Sequence, residues 1–160
     1  MLNKIDLPGA EPDKVAGEIE RIIGAQAHEI LRVSAKEGTN VPLILEAIVE
    51  QVPPPTGDTA QPLKALIFDS HYNAYKGVIA YVRVMDGEIR PGQQVLLMGN
   101  NIKVDAQELG VFLPQMMPVD ALRAGQVGYI ATGLKDVGDV QVGDTVTLAG
   151  RPAAAPLEGY

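Results

Sequence analysis

Six residues near the amino terminus have the types and the spacing of a site that reads a guanine base. One segment supplies three of them and a second segment, about thirty positions later, supplies the others: Asn3, Lys4, Asp6, Ser34, Ala35 and Lys36. The carboxylate of Asp6 can accept two parallel hydrogen bonds from guanine, one from N1–H and one from the N2 amino group. Adenine has no amino group on that edge and would leave the carboxylate without partners, at a cost larger than the gain of pairing. We therefore predict that Asp6 selects guanine.

The other five residues fit around the same base. The amide of Asn3 can bridge N7 of the base to the neighbouring loop backbone, and the aliphatic stem of Lys4 can lie across one face of the ring. Ala35 is small enough for its backbone N–H to approach O6 of guanine. Ser34 can hold the selecting carboxylate in place, and Lys36 can cover the opposite face of the ring.

Both segments are short, so a coincidental match on an ordinary α/β protein is the alternative. The surrounding elements favour the site. A helix is predicted from Pro12, which suits a first turn, to Gly24, which suits the C-terminal cap. Its apolar residues recur at helical spacing: Val15, Ile19, Ile22 and Ile23. Residues 29–33 form a predicted strand that leads into Ser34, so each segment falls where a strand meets a loop.

A second helix and a proline-rich segment follow. Asn40 can cap this helix, and its predicted apolar face is formed by Val41, Leu45, Ile48 and Val52. The three prolines at 53–55 end the helix because they cannot supply its N–H donors. Residues 53–61 have the composition of a linker.

From residue 62 the pattern changes to short β-rich runs. Six strands are predicted, at 63–68, 78–85, 94–98, 102–111, 127–132 and 145–148. Asp86-Gly87, between the second and the third, is a strong hairpin signal. This number of antiparallel strands predicts an all-β antiparallel barrel over residues 62–150, because closure removes exposed sheet edges. Residues 151–160 are predicted to form an extended tail toward a further domain.

Three tyrosines of the barrel have two interpretations. Tyr72, Tyr75 and Tyr81 could stack on nucleic-acid bases. In a small barrel without Trp, aromatic side chains more often lie in the core or at its margin. We expect the second.

Composition excludes several other classes of protein. The chain has no Cys, which excludes a disulfide framework and a thiolate metal site. Its net charge is −7, and residues 1–60 carry 5 basic and 10 acidic groups whereas residues 61–160 carry 8 and 10. Neither part is a basic nucleic-acid clamp, and no apolar run approaches the ~20 residues of a membrane span. The basic residues of the barrel are scattered, and a solvated position is the expectation for each: Lys64, Lys76, Arg83, Arg90, Lys103, Arg123 and Lys135.

The chain contains no Gly-x-x-x-x-Gly-Lys-Ser/Thr, the loop that holds the β- and γ-phosphates and supplies a Mg²⁺ ligand. No catalytic residue and no metal ligand is therefore predicted in it. We expect the phosphate- and magnesium-binding half of the site to lie upstream. The 160 residues alone should then be inactive in GTP hydrolysis and should bind no GTP, GDP or Mg²⁺ tightly.

The order of a guanine-reading α/β segment followed by a small barrel resembles the translational GTPases, and within them the LepA family, also called elongation factor 4. The resemblance covers nearly the whole chain. It is most specific in the barrel, at 62–70, 72, 75, 77–78, 81–84, 86–87, 110–112, 119–120, 124–125, 127–129 and 135–137, and it extends to 52–55, Pro8, Glu46 and Ile48. These stretches favour LepA over elongation factor G or the BipA type.

The resemblance implies a domain order and a function. Residues 1–52 would be the C-terminal part of the P-loop GTPase domain, and residues 62–150 would be domain II of a translation factor. The parent protein would be a cytoplasmic, ribosome-stimulated GTPase that uses GTP and Mg²⁺, binds ribosomal RNA, ribosomal proteins and tRNA, and promotes back-translocation of tRNAs. The resemblance leaves open a peripheral contact with the inner face of the membrane.

A second hypothesis belongs to another class of protein. The chain could be a non-catalytic ribosome- or protein-binding barrel with an unused guanine loop. The codons upstream of Met1 distinguish the two hypotheses: an open frame that encodes a phosphate loop supports the GTPase, and a stop codon with a ribosome-binding site supports the module.

Overall fold

A computed structural model describes residues 1–158, which divide into two compact units. The first unit is Met1–Pro54 and the second begins at Pro55. Neither helix within residues 1–158 combines the length and the apolar character needed to cross a bilayer.

The first unit contains two helices, and its first helix has the predicted bounds. Helix α1 spans Pro12–Ile23. Proline suits the first turn because its missing N–H has no partner there. Gly24 ends the helix in the left-handed conformation at φ 73°, and its N–H donates to the carbonyl of Glu20. The predicted start and end of this helix are therefore confirmed.

Helix α2 spans Val41–Gln51 and follows Asn40, as predicted. Asn40 does not cap the helix through its side chain, which makes no bond to a helical N–H. Its amide donates instead to the carbonyl of Arg32, at 2.9 Å. Val52 returns to extended backbone ahead of the prolines, which ends the helix.

Two short parallel segments, each of which leads into one of the predicted loops of this unit, are joined by hydrogen bonds. Leu2 N–H donates to Leu31 O at 2.7 Å, and Val33 N–H donates to Leu2 O at 2.8 Å. The predicted strand at 29–33 is thus present only as a parallel bridge between Leu2 and Arg32.

The apolar faces of the two helices are largely exposed within the first unit. Ile22 is 80% exposed and Val49 is 83% exposed, and Ala16 is the one helical residue that is buried in α1. The first unit therefore has a small core, since most of the apolar side chains predicted to line its helices contact water.

The second unit is β-rich, as predicted, with ten strands among its described residues. They are β1 (Lys64–Asn73), β2 (Gly77–Asp86), β3 (Glu88–Ile89), β4 (Gln94–Leu97), β5 (Ile102–Asp105), β6 (Glu108–Leu113), β7 (Gln115–Pro118), β8 (Leu122–Arg123), β9 (Val127–Ala131) and β10 (Thr145–Leu148). Eight of them form one antiparallel sheet in the order β5-β4-β10-β1-β2-β9-β6-β7, and β3 pairs with β8. A one-turn 3-10 helix, Val137–Asp139, precedes β10.

The sheet bends where a single long strand was predicted. Residues 102–111 form β5 and β6, separated at Ala106 and Gln107. Ala106 N–H donates to Gln93 O beside β4, whereas Gln107 N–H donates to Ala131 O of β9, both at 2.9 Å. The chain exchanges hydrogen-bond partners between these two residues, and so joins distant parts of the sheet as a barrel requires.

Alternate residues of the strands point into one core. Its members include Leu63, Ala65, Ile67, Val82, Ile89, Leu97, Leu109, Leu122, Ile130 and Val146. Nine of the ten strands contribute to this cluster, with β7 alone outside it. The antiparallel barrel predicted from the sequence is therefore confirmed.

The signal at Asp86-Gly87 does not form the predicted hairpin. β2 pairs with β1 and β9, and β3 pairs with β8. Gly87 has φ 79°, and a Cβ there would lie 2.6 Å from Cα of Leu63. Glycine is required at position 87 because the two backbones approach closely there. The hairpin prediction was wrong.

Aromatic side chains lie on the outside of the barrel. Tyr81 is half-buried and packs edge-on against Phe112, with ring centroids 5.0 Å apart. Tyr75 is 98% exposed and Tyr72 is also exposed, so their predicted place in or near the core was wrong. Tyr129, in contrast, is completely buried although it lies outside the main core.

The hydroxyl of Tyr129 belongs to a polar cluster with Glu108 and Lys76. This hydroxyl donates to Oε1 of Glu108, and Lys76 Nζ lies at the same distance, 2.6 Å, from that oxygen. The Lys76 ammonium, followed by the Tyr129 hydroxyl, lowers the pKa of Glu108. Burial, together with the nearby Glu108 carboxylate, raises the pKa of Tyr129. The three side chains connect β6, β9 and the turn before β2.

The segments on either side of the barrel strands are fastened to the barrel. Gly87 N–H donates to Asp58 O at 2.9 Å, which fixes the segment before β1. After β10, Ala153 N–H donates to Thr147 Oγ1 and Leu157 N–H donates to Thr145 Oγ1, both at 2.9 Å. These segments are therefore part of the folded unit over their described length, although their composition is that of a linker and a tail.

Candidate guanine-binding site

The six predicted residues lie in two loops that follow the parallel segments of the first unit. Beyond the bridge between Leu2 and Arg32, Ile5 N–H donates to Val33 O at 3.3 Å. Because the segments run in the same direction, the loops that leave their carboxyl ends lie side by side. The pairing brings positions 3–6 next to positions 34–36.

A short hydrogen bond joins the two loops at the predicted selecting residue. Ser34 Oγ donates to Asp6 Oδ1 at 2.5 Å and accepts from Glu37 N–H at 3.1 Å. Ser34 is fully buried, whereas Asp6 is exposed. The serine thus anchors a carboxylate that remains accessible to a ligand, and each carboxylate oxygen can accept more than one hydrogen bond.

A second connection runs through the side chain of Asn3. Its Oδ1 accepts from Lys4 N–H at 2.8 Å and from Ala35 N–H at 3.1 Å. The amide N–H of Ala35, expected to face O6 of guanine, is therefore directed at Asn3. The amide nitrogen of Asn3 is left as the donor that this residue can offer to a base.

The two loops line an open cavity of about 330 Å³. It is lined by Asn3, Lys4, Asp6, Leu7, Ala35 and Lys36. Lys4 adopts the left-handed conformation at φ 67°, and Lys36 Nζ lies 3.3 Å from a carboxylate oxygen of Glu37. Five of the six predicted residues thus line one cavity, and the sixth, Ser34, lies buried behind Asp6.

Some contributors were not predicted from the sequence. Leu7 adds an apolar wall to the cavity, and the backbone N–H of Glu37 orients Ser34. A backbone contact of this kind carries no sequence signal, because any residue other than proline supplies the same N–H. The amide of Asn40, predicted to cap helix α2, donates to the carbonyl of Arg32, two residues before Ser34.

The arrangement suits recognition of a planar base. It offers an anchored carboxylate, one amide and two flexible lysine stems around a common space. Within residues 1–158 no group of three or more His, Cys, Asp or Glu side chains could hold a metal ion. The groups that line the cavity can bind a ligand by hydrogen bonds and apolar contact.

Comparison with protein families identifies the barrel. The family profile named "Elongation factor Tu domain 2" matches residues 77–147, which run from the start of β2 almost to the end of β10. This match supports the predicted barrel of the translation-factor domain II type.

Curated relatives match the chain along its whole length. The chain is 56% identical over 160 residues to a protein named "Elongation factor 4" from Picosynechococcus sp., 54% identical to one from Clostridium novyi, and 56% identical to one from Streptococcus pneumoniae. Each match includes 100% of this chain and 26% or 27% of the relative. The chain therefore spans about a quarter of the length of these relatives.

Solved structures show a similar fold at low sequence identity. A bacterial selenocysteine-specific elongation factor, EF-Sec, superposes with a TM-score of 0.67 at 16% identity, over 92% of this chain and 26% of that one. The elongation factor SelB from Methanococcus maripaludis superposes with a TM-score of 0.70 at 17% identity, over 92% of this chain and 32% of that one. These likenesses support the α/β segment followed by a barrel.

The resemblance that the sequence suggested is thus confirmed by relatives that match every residue of the chain. With 54% to 56% identity over all 160 residues, and a barrel that matches domain 2 of elongation factor Tu, the chain belongs to the elongation factor 4 (LepA) family of translation factors.

Proposed function

We propose that this chain carries the guanine-recognition edge and the barrel domain of a ribosome-stimulated GTPase. Residues 1–52 would be the C-terminal part of the GTPase domain, 53–61 the link, 62–150 domain II, and 151–160 the approach to a further domain. The observation that carries the proposal is the hydrogen bond between Ser34 and Asp6, two residues 28 positions apart whose types and spacing predict that they share one base site.

Asp6 would select the base through the hydrogen bonds that its carboxylate can accept in addition to the one from Ser34. With Ser34 holding Oδ1, the carboxylate faces the cavity and accepts from N1–H and from the amino group of guanine. Binding of adenine would place the carboxylate opposite a ring nitrogen that can only accept a hydrogen bond. Burying the carboxylate without a donor costs on the order of 1–3 kcal/mol or more. The specificity for GTP and GDP therefore rests on one anchored side chain.

The remaining residues would hold the base in the plane of that carboxylate. The amide nitrogen of Asn3 is free to donate toward N7, since its oxygen already accepts two backbone N–H groups. The stems of Lys4 and Lys36 line the cavity and would cover the two faces of the ring. Ala35 would contact O6 only if its N–H were shared with Asn3.

Hydrolysis of GTP is proposed for the whole protein and not for these 160 residues. The chain has no loop of the phosphate-binding type, and the phosphates and Mg²⁺ supply most of the affinity of a GTPase for its nucleotide. The residues described here would bind and orient the base. Residues elsewhere in the parent would hold the phosphates.

The barrel is proposed to be the part that contacts the ribosome while the parent acts on tRNA position in the cytoplasm, in the reaction known as back-translocation. Four of its basic residues are already paired with carboxylates of the same unit: Lys64, Lys76, Arg90 and Arg123. Contact with RNA would therefore depend on shape and hydrogen bonding more than on free positive charge. A peripheral membrane contact finds no support among the relatives or the described residues, and we do not propose it.

The experiment that tests the guanine site exchanges Asp6 for Asn in the full-length parent. An Asn side chain can donate to the C2 carbonyl of xanthine and still accept from N1–H, so the preference should move from GDP toward XDP. Affinities for GDP and XDP measured by calorimetry report the change, with the exposed Asp105→Asn as the matched control. An Asp6→Asn protein that retains the original preference would contradict the proposal.

The isolated chain provides a second test. Calorimetry of the 160-residue protein with GDP and Mg²⁺ should show no saturable binding in the micromolar range, because the phosphate contacts are absent. Micromolar affinity would reveal a phosphate site within these residues.

A further inference from the structure

Asn40 occupies an unusual position at the end of the second loop. It has left-handed backbone, with φ 58° and ψ 14°, and it precedes helix α2 without accepting a hydrogen bond from the helix. An asparagine at this position normally accepts from an N–H of the first turn through its side chain. Here the side-chain nitrogen donates to Arg32 O at 2.9 Å instead.

The carbonyl that Asn40 binds lies on the edge of the parallel pair that faces away from Leu2. The carbonyls of Leu31 and Val33 accept from Leu2 and Ile5. Successive carbonyls of an extended segment point to opposite sides, so Arg32 O faces the other edge. Asn40 therefore holds the segment immediately before Ser34 from the side that the first segment does not reach.

The same asparagine also controls the far end of the loop. Ser34 N–H donates to Thr39 O at 3.0 Å, and the two residues form an antiparallel bridge. Because Thr39 is bonded covalently to Asn40, the left-handed turn at Asn40 sets the direction of the Thr39 carbonyl. Asn40 thus holds the Arg32 carbonyl through its side chain and the Thr39 carbonyl through its backbone, on the two sides of the loop that contains Ser34.

From these contacts we infer that Asn40 is a positioning residue for guanine selection: it holds the loop in which Ser34 anchors the carboxylate of Asp6. The inference rests on the proposed guanine site and adds a residue to it. Asn40 touches neither the cavity nor the base, and acts through the Arg32 and Thr39 carbonyls.

The test uses the full-length parent with Asn40→Gly. Glycine adopts the left-handed backbone without steric strain and removes the side chain that donates to the Arg32 carbonyl. The readout is the ratio of the affinities for GDP and IDP, because IDP lacks the amino group that the carboxylate of Asp6 would accept from. We expect the preference for GDP over IDP to fall roughly three- to tenfold, the range of one lost hydrogen bond.

A matched control and a second variant make the result specific. Asn101→Gly replaces another left-handed asparagine, φ 60°, in the turn between β4 and β5 of the second unit, and it should leave the ratio unchanged. Asn40→Asp keeps the size of the side chain but presents an acceptor to the Arg32 carbonyl. It should lower the ratio as well, and it serves if the glycine variant does not fold.

Two outcomes would overturn the inference. In the first, the variants at Asn40 leave the ratio of the affinities for GDP and IDP unchanged, while Asp6→Asn still alters base preference. Asn40 then has only a structural role and the guanine site stands. In the second, Asp6→Asn has no effect on base preference. The proposed guanine site is then wrong, and so is the role inferred for Asn40.

Discussion

The ring of Tyr129 lies directly against the backbone of Gly110, so closely that a Cβ on the glycine would be 2.2 Å from Cε1 of the tyrosine. The two residues face each other across β6 and β9. The same Cβ would be 2.4 Å from the carbonyl oxygen of Met117 on the neighbouring strand. A side chain at position 110 would therefore displace both a buried ring and a backbone.

Gly110→Ala should destabilise the barrel by about 2–3 kcal/mol or more, since overpacking that requires backbone movement lies at the upper end of such costs. Tyrosine fluorescence during urea unfolding measures this on the second unit alone, because every tyrosine of the chain lies at position 72 or beyond. Gly150→Ala is the control, as a Cβ there meets nothing within 4 Å. Equal stability of the two variants would contradict the packing described here.

Acid should weaken the barrel through Glu108. Hydrogen bonds from Lys76 and then Tyr129 favour the carboxylate form, so the pKa of Glu108 is lower in the folded protein than its ordinary 4.5. The folded state then binds a proton less readily than the unfolded state, and this contribution is complete above pH 4.5 and is lost as the pH falls through the lowered pKa.

Glu108→Gln should therefore reduce the loss of stability between about pH 5 and pH 3 and should cost about 1 kcal/mol near pH 7, given partial solvent screening. Free energies of unfolding across this pH range provide the measurement. Asp105→Asn, which changes an exposed carboxylate of β5, should leave the slope nearly unchanged. A wild-type slope in the Glu108 variant would show that the contact does not stabilise the barrel.

Thr147→Val should release the segment after β10. The hydroxyl of Thr147 accepts from Ala153 N–H, and valine keeps the shape of the side chain without the acceptor. We expect the amide of Ala153 to exchange with solvent at least several-fold faster, and the barrel to lose about 1 kcal/mol. Thr59→Val, at an exposed position, is the control. Unchanged exchange at Ala153 would argue against the attachment.

The first unit should open more readily than the barrel. Its helices leave Ile22 and Val49 largely exposed, and its parallel segments form a single bridge. Few buried contacts and unpaired strand edges lower the free energy of local opening. Amide exchange should therefore be faster throughout α1 and α2 than in β1, β2 and β9, and equal protection in both units would contradict this expectation.

The parts of the fold that the sequence predicted depend on local chemistry. Helix α1 was bounded correctly because Pro12 and Gly24 act within one turn of the helix. The types of Asp6 and Ser34 predicted that the two residues share one site, and the structure places them in contact; their role in binding guanine stays a prediction. Each signal is carried by the residue types within a short segment of the chain.

The predictions that failed concern partners distant in the chain. Nothing in the composition of 102–111 reveals that Ala106 and Gln107 pair with different strands, because both residues are compatible with a strand. The strand β7 ends in a proline and lacks β-branched residues, so it gave no signal. Gly87 suggested a hairpin, but its role is set by contact with Leu63, whose approach depends on the closed barrel.

Arg151 and Ala60 meet although 91 residues separate them: the guanidinium donates to the Ala60 carbonyl at 3.1 Å. The polypeptide thus enters and leaves the barrel at one place. Tension applied to the chain on both sides of the barrel would load the attachments of Asp58, Ala153 and Leu157 before it reached this contact. A segment with that geometry can be exchanged between proteins as a unit, because removing it would leave two chain termini already close enough to be rejoined.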